Sequence, residues 1–110
     1  MANAYKVLGQ SAPTATTNTD VYTVPSATEA VLSTIIIANR AGTAGTFRLA
    51  IRPNGAAIAN VHSIAYDVAI AANDSTTLTL GITLDAADVV TAYCSSGDMS
   101  VNVFGTEITA

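Results

Sequence analysis

The single histidine of the chain, His62, precedes Ser63, and this pair comes nearest to a catalytic arrangement in the sequence. A nucleophilic serine needs an imidazole base within hydrogen-bond reach. Adjacent residues on a strand point to opposite faces, so His62 cannot serve Ser63 directly. The sequence also has no Gly-x-Ser-x-Gly elbow. We therefore predict that His62 is a partly exposed residue at the start of a strand, and that the protein is not an enzyme.

The carboxylates offer one candidate metal site. Asp85 and Asp88 stand in a predicted turn and could share a calcium ion with loop carbonyls, although their spacing is not that of an EF-hand loop. We favour the alternative that these side chains hydrogen-bond the backbone of their own turn. The sequence has no Cys/His metal cluster and no Gly-rich phosphate loop, so no cofactor is predicted. The lone Cys94 cannot form an internal disulfide, and we expect a small buried side chain in a reducing cytosol.

The arginines are the most distinctive charged residues. Arg48 and Arg52 fall on one side of a predicted strand, and Arg40 ends the strand before it. The segment 33–53 is predicted to form a β-hairpin at the heart of the fold, and the three guanidinium groups could then cluster. They would then form either a patch that pairs with carboxylates of a neighbouring subunit or solvated charges that keep a strand soluble. We favour the subunit contact slightly, because charge is scarce elsewhere.

The low content of charged residues is the most informative feature of the composition. Charged residues make up 11% of the 110 residues, against about 25% in a typical soluble domain, and apolar residues make up 50%. Threonine, serine, asparagine and alanine must therefore form much of the surface, and threonine alone occurs 16 times. Such a surface favours association with other proteins over a monomeric state in dilute solution. We predict an oligomer or a lattice component.

The charge balance also limits the partners. With a net charge of −4, one lysine and three arginines, the chain lacks the clustered cations that nucleic acid binding requires. No run of about 20 apolar residues exists, so no membrane partner is predicted. The opening MANAYKVLGQ has no basic region followed by an apolar stretch, and we expect no signal peptide.

Apolar residues recur with a period of two, which predicts half-buried strands. Turn signals such as Pro53-Asn54-Gly55 separate the runs. Residues 56–61 could form one helical turn. The spacing predicts an all-β, single-domain antiparallel β-sandwich, jelly-roll or Ig-like, with an N-terminal strand and extended arm over 1–19 and the sandwich over 20–110. The predicted strands cover residues 4–8, 20–24, 30–39, 46–52, 62–70, 76–80, 88–94 and 99–108.

The faces of the strands follow from the same alternation. Ile64, Tyr66, Val68 and Ile70 are predicted to share a buried face. The triplet 35–37 is apolar on both faces, which is typical of a central strand covered by the opposite sheet on one side and by a neighbouring subunit on the other. Ile35 and Ile37 therefore join Arg40, Arg48 and Arg52 as the candidate subunit-interface residues.

The chain resembles small virion structural and fibre-associated proteins of tailed bacteriophages, including phages of cyanobacteria, over residues 22–108. The motifs are the Tyr-Thr-Val-Pro entry, the Ile-x-Asn-Arg turn, the Phe-Arg-x-Ala-x-Arg-Pro strand, the Tyr-Asp strand, the Leu-Gly-Ile-Thr-Leu-x-x-x-Asp segment and the closing Phe-Gly-x-Glu-Ile. They are motifs of fold, and no active-site residues carry over. The resemblance implies a β-sandwich that assembles on a particle, with a trimer favoured.

Together these features predict a capsid decoration, or cement, protein. It would contact the major capsid protein or other virion proteins on the outer surface of the virion, after synthesis in the bacterial cytoplasm. The arm over residues 2–19 would reach across a subunit boundary. The alternative is a tail fibre, neck or adhesion-associated module. A carbohydrate-binding or calcium-dependent lectin-like sandwich is less favoured, since it needs exposed aromatic residues or a carboxylate cluster.

Overall fold

The computed structural model describes residues 2–109, and eight strands account for most of them. The all-β prediction is confirmed, and the observed strands overlap the eight predicted ones. Two one-turn 3-10 helices lie at residues 53–55 and 60–62, and the second overlaps the helical turn predicted over 56–61 at its last two residues. The strands are β1 (Ala2–Ser11), β2 (Thr19–Thr23), β3 (Thr28–Asn39), β4 (Gly45–Arg52), β5 (Ser63–Ile70), β6 (Ser75–Leu84), β7 (Val89–Cys94) and β8 (Met99–Thr109).

The strand order decides between the two predicted architectures. Sheet A has the order β1-β8-β3-β6 and sheet B the order β2-β7-β4-β5, and the neighbouring strands are antiparallel. Each strand of the first half pairs with its counterpart in the second half, β1 with β8, β2 with β7, β3 with β6 and β4 with β5. This is a folded-over hairpin of four strand pairs, which is the topology of a jelly roll.

The core lies between the inner faces of the two sheets. Alternate side chains of β3 and β8 meet those of β4 and β7, and the central strands therefore carry the largest buried residues. Cys94 belongs to this core, as predicted. Leu78, Leu80 and Ile82 of the edge strand β6 pack on the core from the side. The fully buried side chains include Leu32, Ile35, Ile37, Phe47, Leu49, Val90, Met99, Val101 and Val103.

The predicted hairpin over residues 33–53 is wrong. β3 lies in sheet A and β4 in sheet B, so the residues between them cross from one sheet to the other. Ile35 and Ile37 are 0% exposed in the single chain, which leaves no side-chain surface for a subunit contact. The prediction of a central strand is confirmed, since β3 lies between β8 and β6. Ile36 is the member of the triplet that faces outward.

The predicted buried face of β5 is also wrong. Ile64 and Tyr66 are 45% and 58% exposed, and of the four predicted core residues Ile70 alone is fully buried. The cause is a β-bulge, because one residue of β4, Arg48, opposes two of β5, Tyr66 and Asp67, between the pairs Phe47–Val68 and Leu49–Ala65. Asp67 within the bulge has a φ of 50°. The extra residue reverses which side chains face inward, and Ala65 packs on the core instead.

The N-terminal segment is part of the domain and does not extend from it. β1 pairs with β8 of the same chain from Ala2 to Ser11. The connection to β2 is held down by the buried Pro13 and by a hydrogen bond of 2.8 Å from the Thr16 N–H to the Cys94 carbonyl. A Cβ atom at Gly9 would collide with the backbone of Val21, so β1 can approach β2 this closely because it has glycine there.

Between Ala2 and Thr109 the structure contains no helix with the length and hydropathy that a membrane crossing requires.

Removing a core side chain tests the inter-sheet packing. Leu32 is 0% exposed, so we expect Leu32→Ala to lower the free energy of unfolding by about 2–5 kcal/mol. Thr79→Ala, on the exposed face of β6, is the matched control and should change stability by less than about 0.5 kcal/mol. Urea unfolding followed by circular dichroism measures both, and equal effects of the two substitutions would contradict the assigned strand faces.

Candidate functional site

Three of the four cations lie in ion pairs within the chain. Lys6, Arg48 and Arg52 have carboxylate partners at 2.6, 2.7 and 2.7 Å respectively. The sequence prediction placed the arginines in one cluster that faces a neighbouring subunit. The structure instead separates Arg40, at the end of a strand of sheet A, from the other two arginines on the outer face of sheet B.

Arg48 is held between two tyrosines on the outer face of sheet B. Its guanidinium carbon lies 4.2 Å from the centre of the Tyr66 ring and 4.4 Å from that of Tyr93. Asp67 accepts hydrogen bonds from Arg48 Nε and Nη2 at 2.7 and 3.3 Å. These contacts, with the hydrogen bond to Asp67 foremost, raise the pKa of Arg48. The guanidinium is therefore charged, stacked on aromatic faces and neutralised by a carboxylate of its own chain.

Arg52 fixes a loop over the same sheet face. It donates from Nη2 to Asp20 at 2.7 Å and from Nε to the Thr91 hydroxyl at 2.9 Å. Its Nη1 donates to the carbonyl oxygens of Gly55 and Ala56 at 3.3 and 2.9 Å. The loop over 53–62 is thereby drawn onto the outer face of sheet B, and Thr91 beneath it is 2% exposed.

A cleft of about 160 Å³ opens between this loop and the sheet. Arg48, Tyr66 and Tyr93 come from three adjacent strands and form one side of it. The remaining lining comes from the loop, from the sheet floor and from the segment before β2, and consists of Asn18, Leu49, Ala50, Ile58, Ala59, Asn60, Ser63 and Thr91.

A second polar cluster joins the two sheets at one end of the core. Glu107 on the inner face of β8 receives a hydrogen bond of 2.6 Å from the Tyr22 hydroxyl of sheet B and lies 2.6 Å from Lys6 Nζ. The hydrogen bond from Lys6, followed by that from Tyr22, lowers the pKa of Glu107 despite its burial. Burial, reinforced by Glu107, raises the pKa of Tyr22. Tyr22 and Lys6 therefore supply partners to the carboxylate of Glu107, a residue that is 9% exposed. The three polar groups contact one another within the chain.

The remaining candidates lie apart from one another. His62 is partly exposed, as predicted, and its Nδ1 accepts the Ala59 N–H at 3.1 Å. Asp88 accepts the N–H groups of Asn54 and Asp85, each at 2.8 Å, so its carboxylate serves the backbone. Among residues 2–109 no three His, Cys, Asp or Glu side chains form a group that could hold a metal ion. Burial raises the pKa of the Cys94 thiol, which makes it a poor nucleophile.

Arg40 differs from the other cations in its partners. Its Nε donates to the Ser100 hydroxyl at 3.0 Å, and its Nη2 donates to the Gly97 carbonyl at 3.3 Å. Within residues 2–109 it has no carboxylate partner. Of the three predicted interface arginines, Arg40 is therefore the one whose charge is not paired within the described chain.

The outer face of sheet A is nearly free of charge. The strand registers place one charged residue, Glu29, on this face, and Arg40 reaches it from the end of β3 through its hydrogen bond to Ser100. The other positions carry glycine or apolar, threonine, serine, asparagine or glutamine side chains. Tyr5 is 81% exposed and Val7, which lies opposite Phe104, is 47% exposed. We call its apolar residues the uncharged face: Tyr5, Val7, Val31, Ile36, Phe104 and Ile108.

Sequence reasoning missed the tyrosines of the cleft and the Tyr22–Glu107 contact. Tyr66 and Tyr93 are 27 positions apart in the chain. Both contact Arg48 because β4 lies between β5 and β7 in sheet B. The one local signal was the adjacency of Tyr66 and Asp67, an aromatic and a carboxylate on a strand opposite the arginine strand.

Comparison with protein-family models, with curated proteins and with solved structures finds no match to this chain.

The Glu107 cluster predicts a pH dependence of stability. Because the pKa of Glu107 is lower in the folded state, its stabilisation is present above the ordinary glutamate value of about 4.5 and is lost as the pH falls through the folded value. We expect Glu107→Gln to cost about 1 kcal/mol at pH 7, since Lys6 is half exposed. The difference from wild type should shrink below pH 4.5.

Urea midpoints measured from pH 7 to pH 3 test this expectation. Glu29→Gln on the exposed face of the same sheet is the matched control and should leave the midpoint nearly unchanged at pH 7. A constant difference in urea midpoint between Glu107→Gln and wild type across this range would refute the negative charge assigned to Glu107.

Proposed function

We propose that this chain is a capsid decoration protein of a tailed bacteriophage, bound to the outside of the shell through the uncharged face of sheet A. The observation that carries the proposal is the exposure of Tyr5 and Val7 on a four-stranded face whose strands contribute a single charged residue. Apolar side chains exposed together on a monomer mark a protein contact more often than a solvated surface.

A contact of standard size would cover a small part of the surface of this chain. A standard protein interface buries about 800 Å² on each partner, which is about one seventh of the 5562 Å² that this chain exposes. Burial of apolar surface contributes roughly 25 cal/mol per Å² before association costs. A symmetric shell repeats the contact many times, so a modest affinity per copy is sufficient.

The charges and the fold support the same proposal. Arg48, Arg52 and Lys6 have carboxylate partners inside the chain, so the contact must depend on uncharged side chains, with Arg40 as the remaining candidate cation. The net charge of −4 suits the outside of a shell, away from packaged DNA. Jelly rolls occur in viral capsid proteins as well as in lectins, which is support by analogy of fold.

Quantitative mass spectrometry of purified virions tests the assignment. The number of copies of this chain per major capsid protein should be near one or a simple fraction of one. A far lower ratio would favour the tail fibre, neck or adhesion-associated alternative, and absence from the particle would overturn a virion role.

The face itself is tested by placing a charge on it. We expect Tyr5→Asp to lower the occupancy of the particle at limiting protein by about tenfold or more, because an apolar contact is lost and a carboxylate is desolvated. Val61→Asp is the matched control, since Val61 is 87% exposed and lies outside the uncharged face. Equal occupancy of Tyr5→Asp and wild type would remove this face from the proposal.

A further inference from the structure

We propose that the cleft on the outer face of sheet B binds a single neutral sugar ring. The cleft lies between the loop over 53–62 and the strands β4, β5 and β7. It is on the side of the sandwich opposite the uncharged face, so it stays open when that face is covered. The inference goes beyond the proposed decoration role and does not depend on it.

The charge in the cleft excludes an anion as the preferred ligand. Arg48 is the cation in the lining, and Asp67 already accepts hydrogen bonds from its Nε and Nη2. The guanidinium carbon also lies within 4.4 Å of the centres of both tyrosine rings. Because Asp67 already balances the charge of Arg48, a phosphate or carboxylate would add an unpaired negative charge to the cleft. A neutral ligand keeps the charges balanced and can accept a hydrogen bond from the Nη1 of Arg48, which Asp67 leaves free.

The uncharged polar groups of the cleft match sugar hydroxyls. Asn18, Asn60 and Ser63 line it, and within residues 2–109 their side chains form no hydrogen bonds with other groups. An asparagine amide offers both donors and an acceptor, and a serine hydroxyl offers one donor and two lone pairs. A sugar hydroxyl both donates and accepts hydrogen bonds, so it can pair with each of these three side chains.

The apolar parts of the cleft match the rest of a pyranose. Tyr66 and Ile58 both line the cleft, and their side chains are 58% and 46% exposed. The C–H face of a sugar ring stacks on such surfaces while its hydroxyls point to the amides. The volume of about 160 Å³ is below the roughly 300 Å³ at which pockets for drug-sized ligands begin, so the cleft fits one ring.

Titration of the ¹⁵N-labelled full chain by NMR tests the proposal. The probes are methyl α-D-glucopyranoside, methyl β-D-galactopyranoside, methyl α-D-mannopyranoside and N-acetyl-D-glucosamine, each added separately, with sodium phosphate as the anionic comparison. We expect at least one sugar to shift the signals of Asn18, Asn60 and Ser63 saturably, with a dissociation constant on the order of 1 mM. Phosphate should leave them unchanged.

Variants assign the binding to the cleft. Tyr66→Ala should weaken the affinity for that sugar about fivefold or more, and Asn60→Ala should weaken it as well. Tyr5→Ala, which alters a still more exposed tyrosine on the other sheet, should bind as wild type does. The proposal is overturned if none of the four sugars shifts these signals saturably, if phosphate alone does so, or if Tyr66→Ala and Asn60→Ala both retain full affinity.

Discussion

The packing of two four-stranded sheets against each other is the constraint on which everything else in this protein depends. It requires one apolar face from each central strand, and β3, β4, β7 and β8 supply it with side chains such as Leu32, Phe47, Val90 and Val101. Since alternate residues point the other way, the same strands must present four-stranded outer faces to their surroundings. In a chain with 11% charged residues, those faces cannot all be ionic.

The few charges are used where burial or loop geometry demands them. Glu107 reaches into one end of the core, where Lys6 and Tyr22 neutralise and hydrogen-bond it. Arg52 anchors the loop that covers part of sheet B, and Arg48 is fixed by Asp67. These pairs leave the outer face of sheet A to apolar and hydroxyl side chains, and they leave a cleft on sheet B whose free hydrogen-bonding groups are uncharged. The two faces therefore suit two different kinds of contact.

The sequence predicted the strands well because their pattern is local. Met99, Val101 and Val103 alternate without interruption, and all three are buried as expected. β5 was predicted wrongly because the bulge at Asp67 depends on pairing with β4, and nothing in the run SIAYDVAI reveals an extra residue. The hairpin over 33–53 was predicted wrongly for a related reason, since the short loop after Asn39 can join strands of one sheet or of two.

The candidate site was harder to predict than the fold. The stacking of Arg48 between Tyr66 and Tyr93 requires the lateral order of three strands, and alternation within a strand carries no information about its neighbours. Ile35 and Ile37 were assigned to a subunit contact because a run of three apolar residues has no polar face, yet the structure buries both and leaves Ile36 as the outward member. Exposure of Tyr5 follows from the position of β1 at the edge of sheet A, which the sequence does not state.

Hydroxyl-radical footprinting of the free protein and of purified virions would show whether the outer face of sheet A contacts the shell. The method reports the solvent exposure of individual tyrosine side chains. Tyr5 and Tyr66 are 81% and 58% exposed in the single chain and lie on opposite faces of the sandwich. If sheet A contacts the shell, Tyr5 loses most of its labelling in the virion while the labelling of Tyr66 stays unchanged. Equal labelling of Tyr5 in both states, or protection of Tyr66 instead, would contradict that contact.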